Sequence, residues 1–379
     1  MKILHLLKTT DGAAWAVKLL RELVGHGVEV HVALPNLEGK ASQYSDNGCH
    51  VHCLDIDVGI KKAFSNFALV KGLRKLILDV KPDIVHSHFV STTLAMRLAM
   101  RGMDTPRIFQ VPGPLHLEHA LFRMIDYYSS NSCDKWIATC EWTKKKYLSM
   151  GVAPGNVGLS YYGTDTESFK PLSSSKLDLR RELGLRNDTK LIAIVAYMYP
   201  PKKYLGQTRG LKGHEDLIDA VAIAEKSYDN LQLICIGGTW GGGEGYTQAV
   251  EAYGQKLLGS KVSFLGNRND VIDLYTQLDI AVFPSHSENV GGAVESLLMN
   301  VPTITSSVGG FPDLVRHEVT GLLVAPKDPS SLATAILRYL NDESFSRELG
   351  KRGHDLAKKM FDVSSTSQEV TQFYRQILS

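Results

Sequence analysis

The chain has 379 residues, of which 44% are hydrophobic and 22% charged, and a formal net charge of +2. That length allows two domains, each with its own core, and the near-neutral balance argues against a dedicated nucleic-acid binder. Five cysteines, an odd number, read as a reducing cytoplasm, and the absence of any run of 18 apolar residues argues against a membrane-spanning helix.

The N-terminal segment, residues 2–7, reads as a strand, ended by polar Lys8, Thr9, Thr10 and Asp11 and too short for a signal peptide. Residues 13–25 have helical apolar spacing at Ala14, Val17, Leu20 and Leu23, and stop at Gly25-His26-Gly27. Further strands are expected over 28–34, 50–54, 83–86, 107–111, 135–139 and 157–161. Alternating strand and helix calls for a parallel sheet covered by helices on both faces.

Cys49-His50-Val51-His52-Cys53 has the composition of a metal site, but strand alternation sends the cysteines and the histidines to opposite faces. A buried strand is the better reading, and no metal is expected. Residues 58–80 mix Lys61, Lys62, Lys71, Arg74 and Lys75 with apolar residues. Such a helix can lie on a membrane or pack as an ordinary helix with a charged face. Residues 1–170 carry 20 basic and 16 acidic side chains, a balance that permits contact with an anionic membrane.

A boundary falls within 151–171, followed by a polar linker over 172–185. The alternation then restarts, with strands expected over 191–195, 231–236, 262–265, 280–283 and 303–305. A last helix is expected over 364–378.

The chemistry concentrates after the strand at 280–283. Pro284-Ser285-His286-Ser287-Glu288-Asn289-Val290-Gly291-Gly292-Ala293-Val294-Glu295 places two carboxylates around a glycine pair at the start of a helix-like segment. A helix N-terminus offers free N–H groups to a phosphate. Glycines let backbone approach a ligand, and a carboxylate accepts hydrogen bonds from vicinal sugar hydroxyls.

This run resembles the paired-glutamate signature of retaining GT-B glycosyltransferases, family 4 (group 1), with six residues between the glutamates where seven are usual. Tyr162-Gly163-Thr164-Asp165 with Phe169-Lys170-Pro171 is similar to the interdomain segment of that family. Val308-Gly309-Gly310-Phe311-Pro312 and Thr320-Gly321-Leu322-Leu323-Val324 extend the likeness. The resemblance implies a GT-B fold: two Rossmann-like α/β domains facing a cleft, with a C-terminal helix crossing back to the first. The domains would be 1–168 with 364–379, binding the acceptor, and 169–363, binding the nucleotide sugar.

The same resemblance implies roles for single residues. Glu288 would face the transferred sugar and Glu295 the ribose, with Asn289, Val290, Gly291 and Gly292 also at the donor. Lys212, in Lys212-Gly213, matches the diphosphate lysine. The arginine usual in that family is replaced by Tyr197, so Arg209 is expected to supply the second cation. His88, in His86-Ser87-His88, would hydrogen-bond the sugar. Gly12 would lie over the diphosphate, Gly237 near the nucleotide and Arg268 near the base. His116 and His119 would line the acceptor side.

Cation clamping of a diphosphate removes the need for a metal, so no cofactor or metal is expected, only a nucleotide-sugar substrate. The implied activity is retaining, metal-independent transfer from a UDP-sugar to a glycan acceptor carried on a polyprenyl diphosphate. This is similar to bacterial capsule and O-antigen assembly, at the inner face of the cytoplasmic membrane. The alternatives are a UDP-sugar 2-epimerase or hydrolase on the same architecture, and a non-catalytic nucleotide-sugar binder. A dinucleotide oxidoreductase is excluded because no Gly-x-Gly-x-x-Gly follows the first strand.

Overall fold

The computed structural model describes residues 1–57, 63–171 and 177–379. The chain divides into two compact units, 1–165 with 360–379, and 166–359.

The first unit holds a seven-stranded parallel sheet. Its strands are β1 (Lys2–Leu6), β2 (Glu29–Leu34), β3 (His50–Cys53), β4 (Ile84–Ser87), β5 (Arg107–Gln110), β6 (Asp134–Ala138) and β7 (Val157–Leu159). The spatial order is β3-β2-β1-β4-β5-β6-β7. β4 and β5 are buried along their whole length, as a sheet covered on both faces requires. Cys49 is buried while Cys53 at the end of β3 is exposed.

The second unit holds β8 (Lys190–Val195), β9 (Leu231–Ile236), β10 (Val262–Phe264), β11 (Ile280–Phe283), β12 (Thr303–Ser306) and β13 (Leu322–Val324). These form a six-stranded parallel sheet in the order β10-β9-β8-β11-β12-β13. All six residues of β9 are buried. β13 is an addition to the sequence reading, which saw Leu322–Val324 only as part of a motif.

Parallel neighbours require long crossovers, and helices supply them here. His214–Ala224 and Pro329–Asn341 pack against each other and against the second sheet. Ala14–Gly25 covers the first sheet together with the terminal helix Val363–Leu378. That last helix starts where the Asp362 carboxylate accepts from the Ser365 N–H at 3.0 Å, satisfying one of the free donors of a first turn. Its Val370 and Tyr374 are buried in the core of the first unit, so the C-terminus of the chain completes the N-terminal domain.

The segment 58–80 is helical over Ala63–Val80. Leu73, Ile77 and Val80 are buried, while Lys71, Lys75, Phe67 and Leu78 are exposed, so one face packs and the other carries both cations and large apolar side chains. Lys61 and Lys62, and residues 172–176 of the expected linker, lie outside the described residues.

Candidate functional site

In each sheet the strand order reverses direction at one point, and ligands of open parallel sheets bind beyond the strand ends at that point. In the second unit it falls between β8 and β11. A cavity of about 630 Å3 opens there, within the size range of small-ligand sites. Its wall includes the end of β8 with Ala196, Tyr197 and Tyr199, the end of β9 with Gly237, and Asn267 and Arg268 after β10. Ser285, Glu288, Gly292 and Glu295 follow β11. Lys212 and Phe169 complete the part of the lining that bears on function.

Two glycines make this junction possible. Gly213 has φ +75°, and a Cβ there would lie 2.3 Å from the Pro284 carbonyl. Gly237 has φ +125°, and its Cβ would lie 2.2 Å from the Ala196 carbonyl. Both are backbone-to-backbone approaches that only glycine tolerates.

Charge in the pocket is arranged in pairs. The Lys212 ammonium donates to the Glu288 carboxylate and lies 5.5 Å from the centroid of the Tyr199 ring. Burial, with the Glu288 charge adding to it, pushes the Tyr199 hydroxyl up to about 12. Burial and then the neighbouring Glu295 also keep Tyr275 protonated well above its ordinary range. Arg268 donates to Asp270 at 2.8 and 2.6 Å and to Glu182 at 2.9 Å. Beside Glu288, Asn289 is buried and its Oδ1 has no hydrogen-bond partner among the described residues.

Of the residues singled out in the sequence, Lys212, Gly237, Arg268, Glu288, Gly292 and Glu295 meet in this one cavity. Asn289, Val290 and Gly291 form the turn beside it without lining it. The helix carrying Glu295 spans only Ala293–Leu298, too short for the strong N-terminal dipole that the sequence suggests.

Arg209 is elsewhere. Its Nη1 sits 2.6 Å from Asp216 and 2.7 Å from Asp219. These two carboxylates, one turn apart on a single helix, hold the guanidinium away from the cavity lining. The expected second cation is therefore not presented there; Arg268 is. The Asp216 carboxylate also meets His286 Nε2 at 2.5 Å, so it ties the loop before Lys212 to the loop before Glu288.

In the first unit the reversal lies between β1 and β4, and it is filled by side chains. His5, His86 and His88 are fully buried and packed ring against ring, at centroid distances of 4.2 to 5.3 Å. The Tyr162 hydroxyl donates to the Gln110 carbonyl at 3.2 Å, so it accepts from His88 Nδ1 at 3.3 Å. His88 Nε2 is then the acceptor for His5 Nδ1 at 3.0 Å. Both ring nitrogens of His88 are engaged and its side chain is fully buried in this arrangement.

Gly12 sits in an exposed loop, its N–H donating to Thr9 Oγ1 at 3.0 Å. His116 is buried against Tyr147 and Asp126, at 3.3 and 3.6 Å, as a core group and not a ligand-facing one. His119 is half-buried at the start of the Ala120–Tyr128 helix. Tyr197, Tyr199, Asn267 and Phe169 are pocket residues that sequence reading did not assign. For Phe169 the signal was its place in the interdomain motif.

Two family models match the chain. Residues 12–168 match Glycosyltransferase Family 4, and residues 203–356 match Glycosyl transferases group 1. The capsular polysaccharide biosynthesis glycosyltransferase CapM of Staphylococcus aureus is 26% identical over 395 residues, covering 100% of this chain and 97% of its own. The D-inositol 3-phosphate glycosyltransferase of Corynebacterium glutamicum is 28% identical over 235 residues, 60% of this chain and 53% of the relative. Anabaena Alr3699/HepE, crystallised with UDP and glucose, has the same GT-B fold, with a TM-score of 0.81 at 20% identity over 98% of both chains.

Proposed function

We infer that this chain, a group 1 glycosyltransferase with a family 4 domain ahead of it, moves a sugar from a UDP-sugar to a glycan acceptor with retention of anomeric configuration and without a metal. The observation that carries this is the convergence of Lys212, Arg268, Glu288 and Glu295 on one cavity at the strand-order reversal of the second sheet. The full-length likeness to a capsular polysaccharide enzyme, and a neighbour of the same fold that binds UDP and glucose, support it.

The residues divide the work by chemistry. Glu295 accepts from the ribose hydroxyls. Lys212 leaves Glu288 for the diphosphate and offsets the charge that grows on the leaving group. Glu288, released, accepts from the hydroxyls of the sugar. No side-chain nucleophile is needed if a leaving-group oxygen takes the acceptor proton as the new bond forms on the face that the diphosphate vacates. The acceptor is assigned to the N-terminal unit and is a glycan on a polyprenyl diphosphate, as surface polysaccharide assembly requires.

The test is to incubate the protein with UDP-sugars and a polyprenyl-diphosphate glycan in EDTA and to read the product by NMR. A new glycosidic bond with the donor's anomeric configuration is expected. Inverted product, an epimerised donor, or free sugar with no transfer would contradict the proposal.

A further inference from the structure

β3 is the edge strand of the first sheet, beside β2. One face of this margin gathers four groups of the kind that bind metal ions. His31 on β2 stands opposite His50 on β3. Glu29 lies two residues before His31, and His52 two after His50, so strand alternation puts all four on the same face. The rings of His31 and His50 stack with centroids 4.6 Å apart, and those of His31 and His52 at 5.2 Å. Glu29 Oε1 is 3.1 Å from His31 Nε2. One ligand atom each from Glu29, His31 and His50 lies within 4.8 Å of the other two. The sequence alone argues against a metal at residues 49–53, because the cysteines leave the histidine face. Pairing with β2 brings to that face the imidazole and carboxylate that the segment itself lacks.

We propose that Glu29, His31 and His50 bind a divalent transition-metal ion of the zinc type, with His52 holding His31 in the ligating tautomer. Such an ion takes two imidazoles and a carboxylate at about 2.0–2.2 Å and leaves its fourth position to water. The ligand atoms of a tetrahedral ion are then about 3.4 Å apart. Glu29 and His31 are already that close, and His50 is exposed, so its ring can rotate to close the set. Without an ion, His31 Nε2–H donates to Glu29 while Nδ1 accepts from His52 Nε2 at 2.9 Å. With an ion, the Nε2 lone pair turns to the metal and Nδ1–H donates to His52, the outer hydrogen bond that metal-bound histidines make. Both imidazoles change tautomer, and no net proton is released. Lys2 shares Glu29 Oε1 at 3.1 Å. It keeps the Val80 carbonyl at 3.3 Å when the carboxylate turns to the ion.

His5, His86 and His88 are equally close to one another, but they are fully buried and packed ring against ring. The β2–β3 cluster is open to solvent through Glu29 and His50, so a hydrated ion can reach it. There an ion clips the edge strand to its neighbour. The site belongs to the first unit and the donor cavity to the second. It is therefore independent of the donor assignment, and the proposed transfer draws no ion from it.

The test is titration calorimetry and thermal shift of the untagged full chain, stripped with EDTA and dialysed, against zinc chloride. One ion per chain with a Kd of about 1 μM or tighter, and a raised Tm, are expected. His50→Ala removes an exposed ligand and should weaken zinc at least about tenfold, with the metal-free Tm unchanged. Glu29→Gln should weaken zinc by a similar factor. His52→Gln should cost about tenfold through the outer hydrogen bond alone. No zinc binding by wild type would overturn the proposal. So would equal binding by His50→Ala and Glu29→Gln, which would place the ion on other groups, such as the exposed Cys53.

Discussion

The Lys212 ammonium donates to the Glu288 carboxylate, so the group that would hold a diphosphate and the group that would hold its sugar are partners before any ligand arrives. Both are largely buried, with side-chain exposures of 17 and 14%. Binding has to exchange this pair for phosphate on one side and hydroxyls on the other. Lys212→Ala is expected to weaken UDP by about tenfold to a hundredfold, the range of one charge-assisted contact. Glu288→Gln removes the competitor and should tighten UDP by up to about tenfold, while slowing transfer by about a hundredfold. Titration calorimetry and initial rates on the same preparations check both. A glutamine variant that binds UDP more weakly would show that Glu288 does not compete for Lys212.

Asp216 joins two loops through Arg209 and His286. Burial works to raise its carboxyl, but His286 and Arg209 outweigh burial and hold it below the ordinary carboxylate range. A depressed carboxyl stabilises the fold above its unfolded-state pKa, and that contribution disappears as pH falls through the folded value. Asp216→Asn should cost about 1–3 kcal/mol of stability at neutral pH, because it takes one of two carboxylates from Arg209, which keeps Asp219, and the charged acceptor from His286. Stability below the carboxylate range should change little. Urea unfolding at neutral and at strongly acid pH separates the two.

The histidine cluster at the end of β1 and β4 fixes a different window. Burial lowers all three imidazoles, His5 to about 3 and His86 and His88 well below 6.5. They are neutral when folded and take up protons when unfolded. Their contribution is complete above about pH 6.5 and is lost progressively as pH falls below it. Each fully shifted histidine steepens the loss by about 1.4 kcal/mol per pH unit. Tm measured between pH 8 and 5 should drop steeply below 6.5, and His5→Leu should flatten the drop by about one proton. A profile unchanged by that substitution would mean that His5 titrates normally.

Gly213→Ala puts a methyl group against the Pro284 carbonyl at a positive φ. The strain should cost about 1–3 kcal/mol and displace Lys212, the preceding residue, so UDP affinity should fall together with Tm. An alanine variant with native affinity would show that the close approach is relaxed easily.

The strands were legible because buried parallel strands are short apolar runs between turn residues, and β8, β9 and β11 are such runs. β13 escaped because its residues were read only as part of a motif; β7 and β10, just as short, were read as strands. Both glutamates and Lys212 could be placed because they are fixed to strand and helix ends whose spacing is set by backbone geometry. Arg209 could not, since sequence distance to Lys212 says nothing of two aspartates competing for it from the next helix. The partners of His88 were equally hidden. Its position after β4 was readable, but His5 beside it on β1, in register with His86, and the Tyr162 that closes over it come from distant parts of the chain.

The most direct test of the UDP site in the second unit is the thermal shift of wild type and Lys212→Ala with UDP, in the presence of EDTA. A ligand that binds only the folded state must raise Tm. Stabilisation of wild type by UDP in EDTA, much reduced in the alanine variant, is the expected result. No stabilisation, or stabilisation that EDTA abolishes, would contradict a metal-independent UDP site built on Lys212.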